Sequence, residues 1–463
     1  MGIKQTTVED ISEINTEILR GQMRLSPTKT GPRTSLAAGR RSHASLPRKS
    51  SGPPALFSFS AYKPGQNSAP VRHGINYALA RLNLEFGEDA EAMVDANTMK
   101  QVPAWRNSEG NVMEVAGAGV RVGQRVATES SRHILVATTW RSGSTFLGDL
   151  LNHYPGVFYY FEPLHYYSKL DEQQRQQVQD EVDFLRSLYT CSFTSANLGF
   201  LHHVAIAANK FLLKNHNKRL WNSCSNVLPR ETMCLLPEYL TSICPLYPIK
   251  LIKTVRLRVA RVEKLLQDPA MDVKVILLVR DPRGVYNSRS SNQVTTWCKK
   301  DQCADPAVGC MDLMADVRAA EELAERFPGA VTLVRYEDLA LMPEETTRQL
   351  LGFLDLPWTE TMTNYIDTHT SKEKMRMVRN RLTKKLERVK DTYGTAKNSS
   401  ATAFAWRQKL GLERTQEIQS LCSEPMTRLG YRMMASQQEL GALDALPLDK
   451  TAEEVWHHGH SVP

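Results

Sequence analysis

Arg141, Ser142, Gly143, Ser144 and Thr145 stand between an apolar run, Ile134 to Ala137, and a segment in which Phe146, Leu147, Leu150 and Leu151 recur at helical spacing. A buried strand that enters a helix through small, hydroxyl-bearing residues has the build of a phosphate cradle. The helix start presents backbone N–H groups and the positive end of a dipole, and both favour an anion. Ser142, Ser144 and Thr145 add hydroxyl donors, Gly143 lets the backbone approach closely, and Arg141 offers a planar fork suited to phosphate oxygens. The same residues also fit a plain turn with a Ser/Thr cap. The loop lacks the second glycine and the lysine of the GxxxxGK(S/T) pattern, which weakens a metal-bound triphosphate reading.

A second unit, VKVILLVRDPRGVYNSRSS over 273–291, repeats the theme. Its apolar run of strand length ends in Arg280 and Asp281, Pro282 and Gly284 mark a turn, and a helix from Val285 places Ser288 about one turn in. Ligands of parallel sheets sit at the carboxyl ends of strands, so Arg280 and Ser288 should share a crevice with Arg141. Asp281 keeps a rival open, because an apolar strand ending in an acid also suits magnesium in a nucleotide-dependent kinase or hydrolase. Arg280 beside it fits a dianionic phosphate better.

With both units in hand, TTWRSGSTFLGDLLNHYP followed by ILLVRDPRGVYNSR resembles the paired signatures of the carbohydrate sulfotransferases, more narrowly the galactose/N-acetylglucosamine/N-acetylgalactosamine 6-O-sulfotransferase group. The likeness runs over about 133–434 and takes in VRYEDLALMP and FAWRQKLG. It implies that Arg141, Ser142, Gly143, Ser144, Thr145 and Phe146 bind the 5′-phosphosulfate of 3′-phosphoadenylyl sulfate (PAPS), and that Arg280 and Ser288 bind its 3′-phosphate. The implied reaction moves a sulfuryl group in line to a sugar 6-hydroxyl, with N-acetylglucosamine the first choice, and no metal is expected. Cationic donors would neutralise the growing charge, as in phosphoryl transfer.

A sugar hydroxyl needs a base within hydrogen-bond reach. Glu162, in YYFEPLHYY, is the candidate; the aromatic surround would raise its pKa and stack a sugar ring, and the family carries Phe-Glu-Pro at this place. The alternative is a glutamate paired with a nearby lysine or arginine. His165 is a weaker rival base. Lys253, the third catalytic candidate beside Arg141, and Arg256 follow another apolar strand and are expected to reach the acceptor or sulfuryl group, a solvated basic edge being the alternative. Trp406 and Arg407 are expected to close over the nucleotide or the sugar, by stacking and a phosphate contact, against a core role for the tryptophan.

These residues need a frame. Strands near Ile134, Val275 and 331–334, with helices between, give an α/β class: a P-loop-like, mostly parallel sheet with helices on both faces. Single helices are expected over 171–185, 200–213 and 344–354. The domains read as a Ser/Pro/Arg-rich disordered tail at 1–70, a lead-in at 71–130, the catalytic domain at 131–436 and a C-terminal tail at 437–463. Segment 371–390 carries nine Lys/Arg against two Glu, either a solvated helix face or a rim that draws in PAPS or a sulfated glycan.

Eight cysteines, all between Cys191 and Cys422, suit an oxidising lumen. Cys298, Cys303 and Cys310 crowd one loop without paired CxxC spacing or a histidine, so a disulfide is favoured over zinc, with free buried thiols the alternative and the partners open. Asn398 begins a glycosylation sequon. The resemblance implies the Golgi and an N-terminal signal anchor, yet no run of about 18 apolar residues is present; either the true beginning is missing or retention differs. Expected partners are PAPS, a glycan acceptor of a glycoprotein or proteoglycan and, in a homodimer, a second copy. With a net charge of +8, binding of anionic glycans without catalysis is the non-enzymatic alternative, and no nucleic-acid-binding motif is recognisable.

Overall fold

The computed structural model describes residues 131–194, 197–225, 234–299, 301–370, 377–379, 386–388 and 399–455. Five short β-branched and aromatic runs form strands β1 (Arg132–Thr138), β2 (Val157–Phe161), β3 (Ile249–Thr254), β4 (Asp272–Val279) and β5 (Val331–Arg335). They lie in the order β2-β3-β1-β4-β5, and every pairing is parallel. In β1, Leu135 and Val136 point to opposite faces and both are fully buried. Such two-sided burial is why the strands read as continuous apolar runs.

Four helices carry the site. They are α1 (Ser144–Asn152), α2 (Pro282–Arg289), α3 (Pro306–Arg326) and α4 (Tyr336–Leu341). Phe146, Leu147, Leu150 and Leu151 of α1 pack into one buried cluster with Ile134, Val136, Ile276 and Leu278 of the central strands. Asp281 caps α2 by accepting from the Arg283 N–H, with Pro282 in the first turn. Both α1 and α2 therefore start at the carboxyl ends of the two central strands.

Several expectations change. The helix expected over 171–185 is two, Glu172–Gln177 and Glu181–Tyr189, because Asp171 forms a capping box with Gln174 and Asp180 caps a fresh start through the Val182 N–H. That over 200–213 breaks where Ile206 is extended, into Leu198–Ala205 and a 3₁₀ segment, Ala207–Leu212. The third appears as Pro343–Phe353. Within 371–390 the described residues are an antiparallel pair, Met377–Arg379 with Leu386–Arg388, rather than a helix; the remainder, with residues 1–130 and the sequon at Asn398, lies outside the described residues.

The segment from 437 is no tail. Leu440 is fully buried, Tyr431 bridges to Leu448, and Arg335 donates to the Lys450 carbonyl (3.0 Å), so the folded unit continues through Val455. All eight cysteines are paired: Cys191–Cys244, Cys224–Cys234, Cys298–Cys303 and Cys310–Cys422. Among the described residues, no helix is long and apolar enough to cross a membrane.

Candidate active site

A cavity of about 990 Å³ opens at the carboxyl ends of β1, β3 and β4. On one side the cradle loop turns sharply, with Arg141 at φ +72° and Gly143 at φ +91°. Gly143 is needed twice over: its φ lies in the left-handed region, and a Cβ there would collide with the Tyr336 ring of α4. Gly143, Ser144, Thr145 and Phe146 line the cavity; the Ser144 and Thr145 N–H groups precede any intrahelical acceptor, whereas the Phe146 N–H already donates to the Gly143 carbonyl (2.9 Å). Ser142 does not line it. Its hydroxyl lies 2.9 Å from the Thr139 Oγ1 and shapes the turn, so the expected ligand contact from this side chain is corrected.

Across the floor, Arg280 leaves β4 and lies over the Tyr336 ring, 4.5 Å from its centroid. Its Nη1 donates to the Arg141 carbonyl (3.0 Å) and its Nη2 to the Thr402 carbonyl (3.2 Å). Arg141 Nε in turn donates to Ser288 Oγ of α2 at 2.9 Å. The two strand–loop–helix units thus meet through three side chains. Arg280 is buried, yet its Nε finds no acceptor among the described residues. An orphaned donor on a buried cation beside a hydroxyl fits an incoming phosphate. Asp281 is excluded from the cavity: it is fully buried and both its oxygens accept from Arg283 (2.8–3.2 Å), which overturns the magnesium reading of this residue.

Glu162 follows β2 at φ +52°, a strained position for a non-glycine residue, and lines the cavity. The Oε1 accepts from Lys253 Nζ at 2.5 Å, and the Oε2 from Arg256 Nη1 at 2.6 Å and the Val255 N–H at 3.3 Å. The ion-paired alternative therefore describes its surroundings, and the expected aromatic enclosure is largely a cationic one. Aromatic rings stand behind the cations, Phe161 4.4 Å from Lys253 Nζ and Trp140 5.6 Å from the Arg256 guanidinium. His165 also lines the cavity and lies 3.0 Å from His203; burial, followed by the Arg256 charge, lowers its pKa to about 4 and keeps it neutral near pH 7.

Two further assignments, beside that of Ser142, do not hold. Trp406 is 1 % exposed, packs with Met434 and Leu440, and lies 4.1 Å from the Arg283 guanidinium. Arg407 spends its guanidinium on the backbone carbonyls of Glu439, Leu440, Ala442 and Ala445. Neither lines the cavity, so both are corrected from nucleotide contacts to clamps on the C-terminal segment; Lys409, two residues on, does line it. Sequence reasoning passed over Tyr336, the floor beneath Gly143 and Arg280, although it stands in the quoted VRYEDL run. It also passed over His216 and Trp297 in the cavity wall, which had no motif to mark them, whereas Phe211 falls in the 200–213 segment expected to supply acceptor contacts.

With this geometry in view, the comparisons with known proteins agree on a family. A sulfotransferase domain model matches residues 131–430. Carbohydrate sulfotransferase 1 of Homo sapiens is 31 % identical over 354 residues, covering 66 % of this chain and 81 % of that protein. Carbohydrate sulfotransferase 2 of Mus musculus is 28 % identical, with 71 % and 70 % covered, and carbohydrate sulfotransferase 6 of Homo sapiens is 29 % identical, with 67 % and 83 % covered.

Proposed function

Since this chain belongs to the sulfotransferase family, among the carbohydrate sulfotransferases, we propose that it transfers sulfate from PAPS to the 6-hydroxyl of N-acetylglucosamine, or of galactose or N-acetylgalactosamine, in a glycan. PAPS is the co-substrate that goes with the family. The observation that carries the reading is the convergence in one cavity of the cradle loop, the Arg141–Ser288–Arg280 cluster and the carboxylate of Glu162.

In this reading Arg280 and Ser288 hold the 3′-phosphate, and the N-terminal amides of α1 with Ser144, Thr145 and Arg141 hold the 5′-phosphosulfate. The acceptor oxygen attacks sulfur in line, the bond from sulfur to the 5′-phosphate oxygen breaks, and that oxygen leaves with the electron pair. Arg141 and the loop donors offset its growing charge without moving, which is where the rate gain arises. Lys253 faces the transferring group, while Glu162 takes the hydroxyl proton on an oxygen whose direction Lys253 and Arg256 hold. The two short ion pairs favour one further role for Glu162: it also keeps both cations in place.

The four disulfides suit an oxidising compartment, and the Golgi lumen is the proposed location. The test is radiolabelled sulfate transfer from PAPS, with EDTA present, to terminal N-acetylglucosamine, galactose and N-acetylgalactosamine acceptors. Transfer to one of them identifies the acceptor; silence on all three despite tight PAPS binding would refute the proposal in favour of a glycan-binding pseudoenzyme. Glu162→Gln should still bind 3′,5′-bisphosphoadenosine and lose roughly 10²–10⁴ in kcat.

A further inference from the structure

His216 and Asp149 form a pair in the cavity wall that the reaction just described does not use. Both residues line the cavity, and His216 Nδ1 lies 3.1 Å from Asp149 Oδ1. A carboxylate can only accept, so the nitrogen that faces it carries a ring proton. That leaves Nε2, which has no hydrogen-bond partner among the described residues. A sugar hydroxyl both donates and accepts, so it can meet this nitrogen in either protonation state of the ring.

The imidazole is braced on several sides. It stacks on Phe161, with centroids 4.6 Å apart and planes 11° apart, and meets the Tyr159 ring edge-on at 5.0 Å. The His216 carbonyl accepts from Asn152 Nδ2 of α1 at 2.8 Å. Next in the chain, the Asn217 side chain acts as a stand-in strand on the open edge of β2, accepting from the Tyr159 N–H (3.0 Å) and donating to the Tyr159 carbonyl (2.7 Å). A ring held in this way is oriented before a ligand arrives, which lowers the entropy cost of binding it.

Its place relative to the reacting groups follows from α1 and β2. Asp149 lies four residues beyond Thr145 of the cradle, on the same face of α1 and about 6 Å further along. Phe161, on which the imidazole stacks, directly precedes Glu162 and lies 4.4 Å from Lys253 Nζ. His216 therefore joins the cradle helix to the strand that leads into Glu162. Polar groups fixed in the wall of a ligand cavity set the orientation of what enters it. Glu162 already serves the reacting hydroxyl in the reading above, which leaves His216 for a different hydroxyl of the same sugar.

We infer that His216, tethered by Asp149, binds the C3 or C4 hydroxyl of the acceptor sugar and thereby turns its 6-hydroxyl towards the cradle. The inference rests on the carbohydrate-acceptor reading and adds to it the residue that orients the sugar.

The test measures kcat and KM on the full chain for a glycoside that the wild type sulfates and for its 3-deoxy and 4-deoxy forms. His216→Phe keeps a ring on Phe161 and removes both nitrogens. It should raise KM for the parent glycoside by roughly tenfold, the worth of one hydrogen bond, with 3′,5′-bisphosphoadenosine affinity unchanged. One deoxy glycoside should show the same loss in the wild type and no further loss in the variant, because the contact is already gone. His216→Gln, which returns a polar atom to the side chain, should recover part of the affinity, and Asp149→Ala, which releases the ring, should also raise KM. Melting temperature is followed in parallel, and His216→Ala stands in should the phenylalanine variant not fold. An unmoved KM in either the His216 or the Asp149 variant, a fall in kcat alone, or equal losses from both deoxy forms in wild type and variant would each overturn the assignment while leaving sulfate transfer intact. Absence of transfer to any sugar by the wild type would instead sink the acceptor reading, and the role of His216 with it.

Discussion

Glu337 shows how much a single buried group under the site matters. Its Oε1 accepts from the Asp281 N–H and its Oε2 from the Tyr431 hydroxyl, and it is fully buried beneath the turn that launches Arg280. Burial first, and the Asp281 charge second, raise its pKa from 4.5 to about 7. A folded value above the unfolded one means that the native state holds the proton more tightly. This contribution to stability is complete below about pH 4.5 and is lost as pH rises through about 7. Denaturant unfolding followed across that window should show stability falling with pH, and Glu337→Gln should remove that part of the slope; equal slopes would mean that the carboxyl is already ionised. The arginines divide by their partners. Arg141→Ala and Arg280→Ala should each weaken 3′,5′-bisphosphoadenosine binding by about 10- to 100-fold, the worth of a charged hydrogen bond or two. Arg407→Ala, which strands buried carbonyls, should instead lower the melting temperature, as calorimetry would show.

At the scale of elements, the cradle is a strained loop clamped between a strand, a helix and a tyrosine. Left-handed backbone at Arg141 and Gly143 aims the α1 start at the cavity, and Tyr336 closes the space behind it. Gly143→Ala should therefore cost about 1–2 kcal/mol for the backbone and a similar amount for the clash. Thermal unfolding with and without 3′,5′-bisphosphoadenosine measures both the loss and the weakened ligand stabilisation; an unchanged midpoint would show that the Tyr336 ring yields. The strand–loop–helix units were legible because their periodicity and turn residues act locally. The helices between β2 and β3 were less so, since Asp180 and Ile206 interrupt apolar patterns that read as continuous. The antiparallel pair within 371–390 was hidden for another reason, as two strands of three residues carry little periodic signal.

Across the whole molecule, disulfides and arginine clamps bring distant segments to the sheet. Cys310–Cys422 spans 112 residues and joins α3 to the helix Leu412–Leu421, which follows the Trp406–Arg407 segment. Replacing both cysteines with serine should lower stability by about 2–5 kcal/mol, read as a shift in denaturant midpoint under non-reducing conditions. A reducing agent should move the wild type in the same direction. Arg283, Arg335 and Arg407 donate to carbonyls at Arg432, Leu429 and Lys450, and Glu439 to Ala445 respectively, which is how the C-terminal segment became part of the fold.

The sequence alone determined the two strand–loop–helix units, the parallel α/β class and the place of Glu162, because strand length, turn chemistry and helix starts are written in neighbouring residues. Only the tertiary structure decided which charged groups face the cavity. Lys253 and Arg256 come to Glu162 because β3 pairs with β2, whereas Arg407 and Asp281 meet buried partners that turn them away from the cavity. A charged side chain takes its role from whatever lies within hydrogen-bond reach, and those neighbours come from parts of the chain that only folding brings together.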